Sequence, residues 1–222
     1  MGDKKYLWLS HILSKSTPSY GGSESVIIES KTSIDEGDTA NTLSICTNTH
    51  LGTHIDMPKH FFEDGPSITD YHEKYWIFNY PQLINIPCED GKLITPIDIK
   101  SEISIDTDLL LLRTGFEKYR KEKRYWETNP GLSPDLGIYL REKYPNIRAV
   151  GIDTISITSI LHRESGRAAH RVLLDPHAPG KPIVIIEDMA LSKISTKFNQ
   201  VLVLPLRIRN SDGAPVTIMG VY

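Results

Sequence analysis

Short apolar runs separated by polar and turn-forming residues dominate the chain, and most are too short for helices. Strand-like runs fall at Tyr6–Leu9, Val26–Ile28, Leu43–Thr47, Leu83–Ile86, Leu109–Arg113, Ala149–Ile152, Ile183–Ile186, Val201–Leu206 and Pro215–Val221. Several are continuous aliphatic stretches, the pattern of strands buried on both faces. Helical spacing is confined to three segments. Ser133 can cap a helix with Pro134 at its first position and Asp135 near its positive end. Leu132, Leu136, Tyr139, Leu140 and Tyr144 follow its spacing, and Pro145 stops it. Phe116–Trp126 predicts a second, highly charged helix, and Ala168–Leu174 a short third closed by Asp175-Pro176. Asp175–Pro182 reads as a loop by its proline and glycine content. The chain is therefore expected to be mixed α/β and strand-rich. Its alternation is too irregular for a doubly wound sheet. With no repeat or convincing boundary, residues 1–222 read as one domain.

Composition narrows the function classes. The chain has 222 residues, 39% hydrophobic and 24% charged, which is ordinary globular usage. Lys plus Arg is 25 and Asp plus Glu is 28, a net charge of -3, so there is no overall electrostatic case for nucleic acid or an anionic membrane. The basic, tyrosine-containing stretch Glu117–Tyr125 could be a single-strand platform. Glu117 and Glu122 interrupt it, and a solvated helix face with internal ion pairs is the better reading. The longest purely aliphatic runs, Leu109–Leu112 among them, are far short of a membrane span. The opening residues Met1–Tyr6 lack the apolar stretch of a signal peptide, and Cys46 and Cys88 form no disulfide framework. A cytoplasmic setting is expected.

The chemistry concentrates in Thr49–His60, which reads T-H-L-G-T-H-I-D-M-P-K-H. Imidazole and carboxylate together suit zinc, manganese or iron. In a strand, His54 and Asp56 share a face with Cα atoms roughly 6.6 Å apart, an easy reach for one ion. His50 would lie roughly 13 Å from His54 in a straight strand, unless Gly52 bends the chain. His50, His54 and Asp56 are thus the better ligands. His60, beyond a turn at Pro58, is better placed as an acid–base group. A zincin-type helix is excluded: Leu51, not Glu, follows His50, and Gly52, Ile55 and Pro58 disfavour a helix. A second, looser cluster is His170 in H-R-V-L-L and Glu187 at the end of I-V-I-I-E. Alone, these are better read as a solvated histidine and a strand-ending acid.

His50–His60 (H-x-G-T-H-x-D-x-P-x-H) resembles the signature of the cyclase family of metal-dependent hydrolases, which includes bacterial kynurenine formamidase and isatin hydrolase. Leu110–Phe116 (LLLRTGF), Asn129–Ser133 (NPGLS), Val150–Ser156 (VGIDTIS) and His170–Leu174 (HRVLL) followed by Glu187 are similar to later family segments, in the same order. The resemblance implies a swivelling β/β/α fold, assembled as a homodimer or homotetramer. It implies two divalent ions, Zn2+ or alternatively Mn2+. His50, His54 and Asp56 would hold one ion. Asp56 would bridge to a second, held also by His170, with Glu187 at or between both. His60 would be the catalytic acid–base residue, and Tyr20 the counterpart of the family's substrate-contacting aromatic. Tyr20 is followed by Gly-Gly where the family carries Pro-Gly, and Asp175–Pro182 lengthens the spacing from His170 to Glu187. The implied activity is hydrolysis of an amide C–N bond in a small aryl formamide. The alternatives are a cyclic amide or lactone, or a non-catalytic metal-binding protein. Small-molecule substrate, not nucleic acid or membrane, is the expected partner.

Overall fold

In the computed structural model, which describes residues 5–99 and 103–222, the aliphatic runs become the inner strands of one sheet. The strands are β1 (Tyr6–Trp8), β2 (Ile27–Thr32), β3 (Thr42–Cys46), β4 (His54–Asp56), β5 (Ile77–Phe78), β6 (Pro81–Asn85), β7 (Leu93–Ile94), β8 (Leu109–Arg113), β9 (Gly131–Leu132), β10 (Ala149–Ile152), β11 (Val184–Glu187), β12 (Gln200–Pro205) and β13 (Gly213–Val221). The helices are α1 (Pro96–Ile99), α2 (Arg124–Glu127), α3 (Pro134–Lys143) and α4 (Arg163–Leu174). Met1–Lys4, part of the stretch read for a targeting signal, lie outside the described residues. Among those described, no helix is long and apolar enough to cross a membrane.

The sheet has nine strands in the order β5-β12-β13-β4-β11-β10-β8-β6, with β1 also on β13. β6, β8, β10 and β11 run parallel, and β4 is antiparallel to both β11 and β13. The long β13 serves two parts of the sheet. Gly213–Pro215 pair with β4, whereas its distal half pairs with β12 and β1. The sheet thereby curls over one core while helices cover the other.

Leu109–Leu112 shows why the run is continuous. All four are fully buried. Leu109 and Leu111 pack with Ile55, Phe78, Ile186 and Val201 inside the curl. Leu110 and Leu112 pack with Leu136, Leu140, Leu173 and Ile185 under α3 and α4. Alternate side chains of a strand face opposite ways, so a strand buried twice needs apolar residues at every position. The mixed, strand-rich expectation therefore holds, and so does the capped helix: Ser133 Oγ accepts from the Leu136 N–H at 3.2 Å.

The charged helix expected over Phe116–Trp126 does not form. The segment is a 3₁₀ turn at Phe116–Tyr119 followed by the one-turn α2. Its charges pair outside the segment rather than along it. Glu117 accepts from the backbone N–H groups of Leu191 and Ser192, and Arg124 pairs with Asp90 at 2.7 Å. Arg120 makes two hydrogen bonds, of 2.7 and 2.6 Å, to the fully buried Asp188, which also accepts from the Tyr125 hydroxyl. Asp188 adopts φ +53°, a left-handed conformation that Asp tolerates better than most residues. Its backbone carbonyl accepts from Thr53 Oγ1 at 2.5 Å. This network fixes the chain on both sides of the pair Glu187 and His54. Arg120→Met leaves the Asp188 carboxylate buried without its cation. It should cost about 3–5 kcal/mol, read as a lowered urea midpoint with unchanged slope.

Candidate metal centre

The expected site residues converge from four places. His54 and Asp56 lie on β4, two residues apart, on the same face as Ile185, while Ile55 between them enters the core inside the curl. The register pairs Glu187 of β11 directly with His54, so two neighbouring strands deliver three ligand-type side chains to one spot. His170 arrives from α4, whose Ala169, Leu173 and Leu174 pack on the same helix-side core. His50 precedes the strand, and Gly52, at φ +70°, makes the bend that brings it back. Its Nδ1 lies 2.7 Å from Asp56 Oδ1. The straight-strand separation is thus relieved at the glycine, as the spacing required.

Among the described residues three sets of ligand atoms result, each within 4.8 Å of one another: His50, His54 and Asp56; Asp56, His170 and Glu187; and the more exposed His50, His60 and Asp212. Asp56 belongs to the two sets that contain buried residues. Hydrogen bonding presets the imidazoles. His54 Nδ1 donates to the Gly52 carbonyl at 2.8 Å, and His170 Nδ1 to the Gly166 carbonyl at 2.9 Å. Each Nε2 then faces the carboxylates: His54 Nε2 is 3.4 Å from both Asp56 and Glu187, and His170 Nε2 is 3.4 and 3.3 Å from them. Backbone carbonyls that fix the far nitrogen are the usual support of metal-binding histidines. Glu187 Oε1 is held by the Ile157 N–H at 2.7 Å and the Ser156 hydroxyl at 2.9 Å.

The electrostatics fit a cation. Asp56 and Glu187 are 1% and 4% exposed, and every ion-pair partner they have is a histidine. Burial alone would raise both carboxyls. The histidines around them hold Asp56 well below the usual carboxylate range and Glu187 down to about 2. Burial likewise works to lower the imidazoles, but these carboxylates outweigh it, raising His54 well above its ordinary value and His170 to about 10. Protons on the imidazoles thus balance two buried anions, a balance that divalent ions supply more compactly. The donor chemistry suits such ions.

His60 follows Pro58 on a 3₁₀ turn, and its ring lies 4.0 Å from that of His50 and 6.4 Å from that of His170. Burial lowers its pKa from the ordinary 6.5, against the pull of Asp56. Tyr20 lines the same cavity of about 310 Å³, with Ser19, Asn48, Phe61, Arg163 and Arg167. Of the other aromatic residues, Phe61 stacks on His170 at 5.1 Å, whereas Tyr71 and Trp76 pack in the core inside the curl. A larger cleft of about 1030 Å³ runs beside Trp8, Ile12 and Leu206. Of its charged lining, Glu117 and Arg120 are already engaged by the 191–192 backbone and Asp188.

One participant escaped the sequence reading. Asp212, in the turn before β13, places Oδ2 2.8 Å from His50 Nε2 and 3.1 Å from His60 Nδ1. It stands 152 residues from His60, and S-D-G-A-P reads only as a turn. Pairing of β13 with β4 is what carries it to the site.

The Cyclase family model matches residues 7–159. The chain belongs to the cyclase family. It is 27% identical to a kynurenine formamidase of Bacillus cereus over 216 residues, 97% of both chains. It is 30% identical to a kynurenine formamidase of Geobacillus thermodenitrificans over 181 residues, 82% of this chain and 80% of that one. Among solved structures, isatin hydrolase A from Labrenzia aggregata shares its fold, with TM-score 0.81 and 22% identity over 98% of this chain and 93% of that one. The matched residues contain the whole early cluster. His170 and Glu187 lie beyond them and join it through α4 and β11.

Proposed function

We propose that this cyclase-family chain is a metal-dependent hydrolase that cleaves the amide C–N bond of a small aryl formamide, releasing formate and an aryl amine. The observation that carries it is the pair of ligand sets sharing Asp56, with the imidazole of His60 beside them. Kynurenine formamidases that align along nearly the whole chain support the same chemistry. In this reading His50, His54 and Asp56 hold one divalent ion, and Asp56, His170 and Glu187 a second. Zinc is the first metal to test and manganese the second. Bound there, such ions lower the pKa of water to about 7 and polarise a carbonyl.

The chain's own part is proton handling and orientation. His60 accepts a proton from the attacking water and delivers it to the amide nitrogen as the C–N bond breaks, because an amine leaves poorly without one. Phe61 and Tyr20 offer aromatic walls. Arg163 and Arg167 are one helical turn apart on α4 and exposed, line the cavity, and form no ion pair with a carboxylate among the described residues. They favour an aryl formamide that carries an acid group. Arg167→Gln should raise KM for such a substrate about 10-fold, the size of a charge-assisted hydrogen bond, and leave plain formanilide unaffected.

The decisive experiment is one activity panel of N-formylkynurenine, formanilide, isatin and a simple lactone, after chelation and with zinc or manganese restored. Turnover of the formamides that chelation removes and metal returns is the expected result. Faster cleavage of isatin or the lactone would move the substrate to cyclic amides or esters. Tight metal binding without turnover would make the chain a metal-binding protein only.

A further inference from the structure

Asp212 is given to neither ion above, yet it touches two of the site histidines. A single oxygen, Oδ2, accepts from His50 Nε2 at 2.8 Å and His60 Nδ1 at 3.1 Å, while Oδ1 accepts from the Thr49 hydroxyl at 3.3 Å. The carboxylate is held in place by its own backbone, whose carbonyl accepts from the Met57 N–H at 2.9 Å. The next residue, Gly213, pairs with Asp56 across the strands. A Cβ at Gly213 would stand 2.7 Å from His50 Cε1, so only glycine lets this turn approach the ring so closely.

The consequence lies in which ring nitrogens stay free. A neutral imidazole has one N–H and one lone pair. In the neutral form of His50, donation from Nε2 to Asp212 leaves the lone pair on Nδ1, where an ion could take the place of the proton shared with Asp56 Oδ1, 2.7 Å away. Donation from His60 Nδ1 leaves that ring's lone pair on Nε2. One carboxylate thus sets the tautomer of a ligand-type histidine and of the acid–base histidine together, and holds their rings 4.0 Å apart.

We infer that Asp212 is a positioning residue that orients His60 for proton transfer and His50 for metal binding through one shared carboxylate oxygen. The role rests on the hydrolytic reading above. Its side chain is 39% exposed, so replacing it leaves no buried hole. Asp212→Ala, loaded with metal, should lower kcat about 10–100-fold with little change in KM, the usual effect of losing a carboxylate behind such a histidine. Added to His60→Ala, it should cost less than it costs alone, because the part acting through His60 is already lost and only its hold on His50 remains. Asp212→Asn, which keeps an acceptor oxygen, should recover part of the loss. Losses that multiply in the double variant overturn the proposal. So does the disappearance of one metal ion per chain from Asp212→Ala, which would make Asp212 a ligand. A second readout needs no activity: proton NMR of the metal-loaded protein should show a downfield His60 Nδ1–H resonance that Asp212→Ala removes. A spectrum unchanged by the substitution overturns the contact itself. An inactive wild type that shows this resonance would discard the hydrolytic reading and retain the contact.

Discussion

Asp56→Asn is expected to abolish high-affinity binding of divalent ions and all measurable amide hydrolysis. Asp56 joins the ligand set of His50 and His54 to that of His170 and Glu187, and its two oxygens divide between them: Oδ1 faces His50 and His54, and Oδ2 faces His170. Removing an outer partner of a metal ligand already costs about 10–100-fold in affinity or activity, so removing a carboxylate that serves both sets should cost more than about 100-fold. The amide is nearly isosteric, so packing survives. The histidines lose the anion that raises their pKa values and revert toward neutrality, which spares the fold a stranded charge. Titration calorimetry with zinc or manganese reads the metal loss, and a formanilide assay reads the activity. A variant that bound two ions as tightly as the wild type would remove Asp56 from the centre of the account.

The part of this site legible in the sequence is the part built by short-range geometry. His54 and Asp56 are neighbours on one strand face, so their period of two suffices to join them. Gly52 marked the bend, Pro58 the turn, and Ser133-Pro134 the helix start, each a local backbone rule. His170 and Glu187 were attached to the cluster by resemblance alone. What joins them physically is the pairing of β11 with β4 and the packing of α4, neither of which has a local signature. The same is true of Asp212. The start of α4 was missed for another reason: Arg163–Arg167 is polar and contains Ser165 and Gly166, both poor helix formers, so its propensity conceals a helix held by tertiary packing. Phe116–Trp126 failed in the opposite direction. Its charges suggested a helix, but Phe116 and Tyr125 are drawn into a separate cluster with Ile155, and no single helix buries both while Arg120 reaches Asp188.

His60→Ala is expected to keep its full complement of metal and lose turnover by ~10²–10⁴-fold, the range for a positioned acid–base group. His60 makes no contact with Asp56 or Glu187 short enough to count as an ion pair. Its polar partner is Asp212, and its ring lies against His50 and Phe61. The metal should therefore survive its removal. The loss should also depend on the substrate in a way that no structural role would produce. Expulsion of an electron-rich aniline requires a proton on nitrogen, whereas an aniline bearing a nitro group leaves with far less help. Across a series of ring-substituted formanilides, kcat/KM of His60→Ala should fall most for methoxy- and least for nitro-substituted compounds, steepening the dependence on the pKa of the amine. Equal losses along the series would place His60 outside the protonation of the leaving group. Loss of metal from the variant would make His60 a ligand instead.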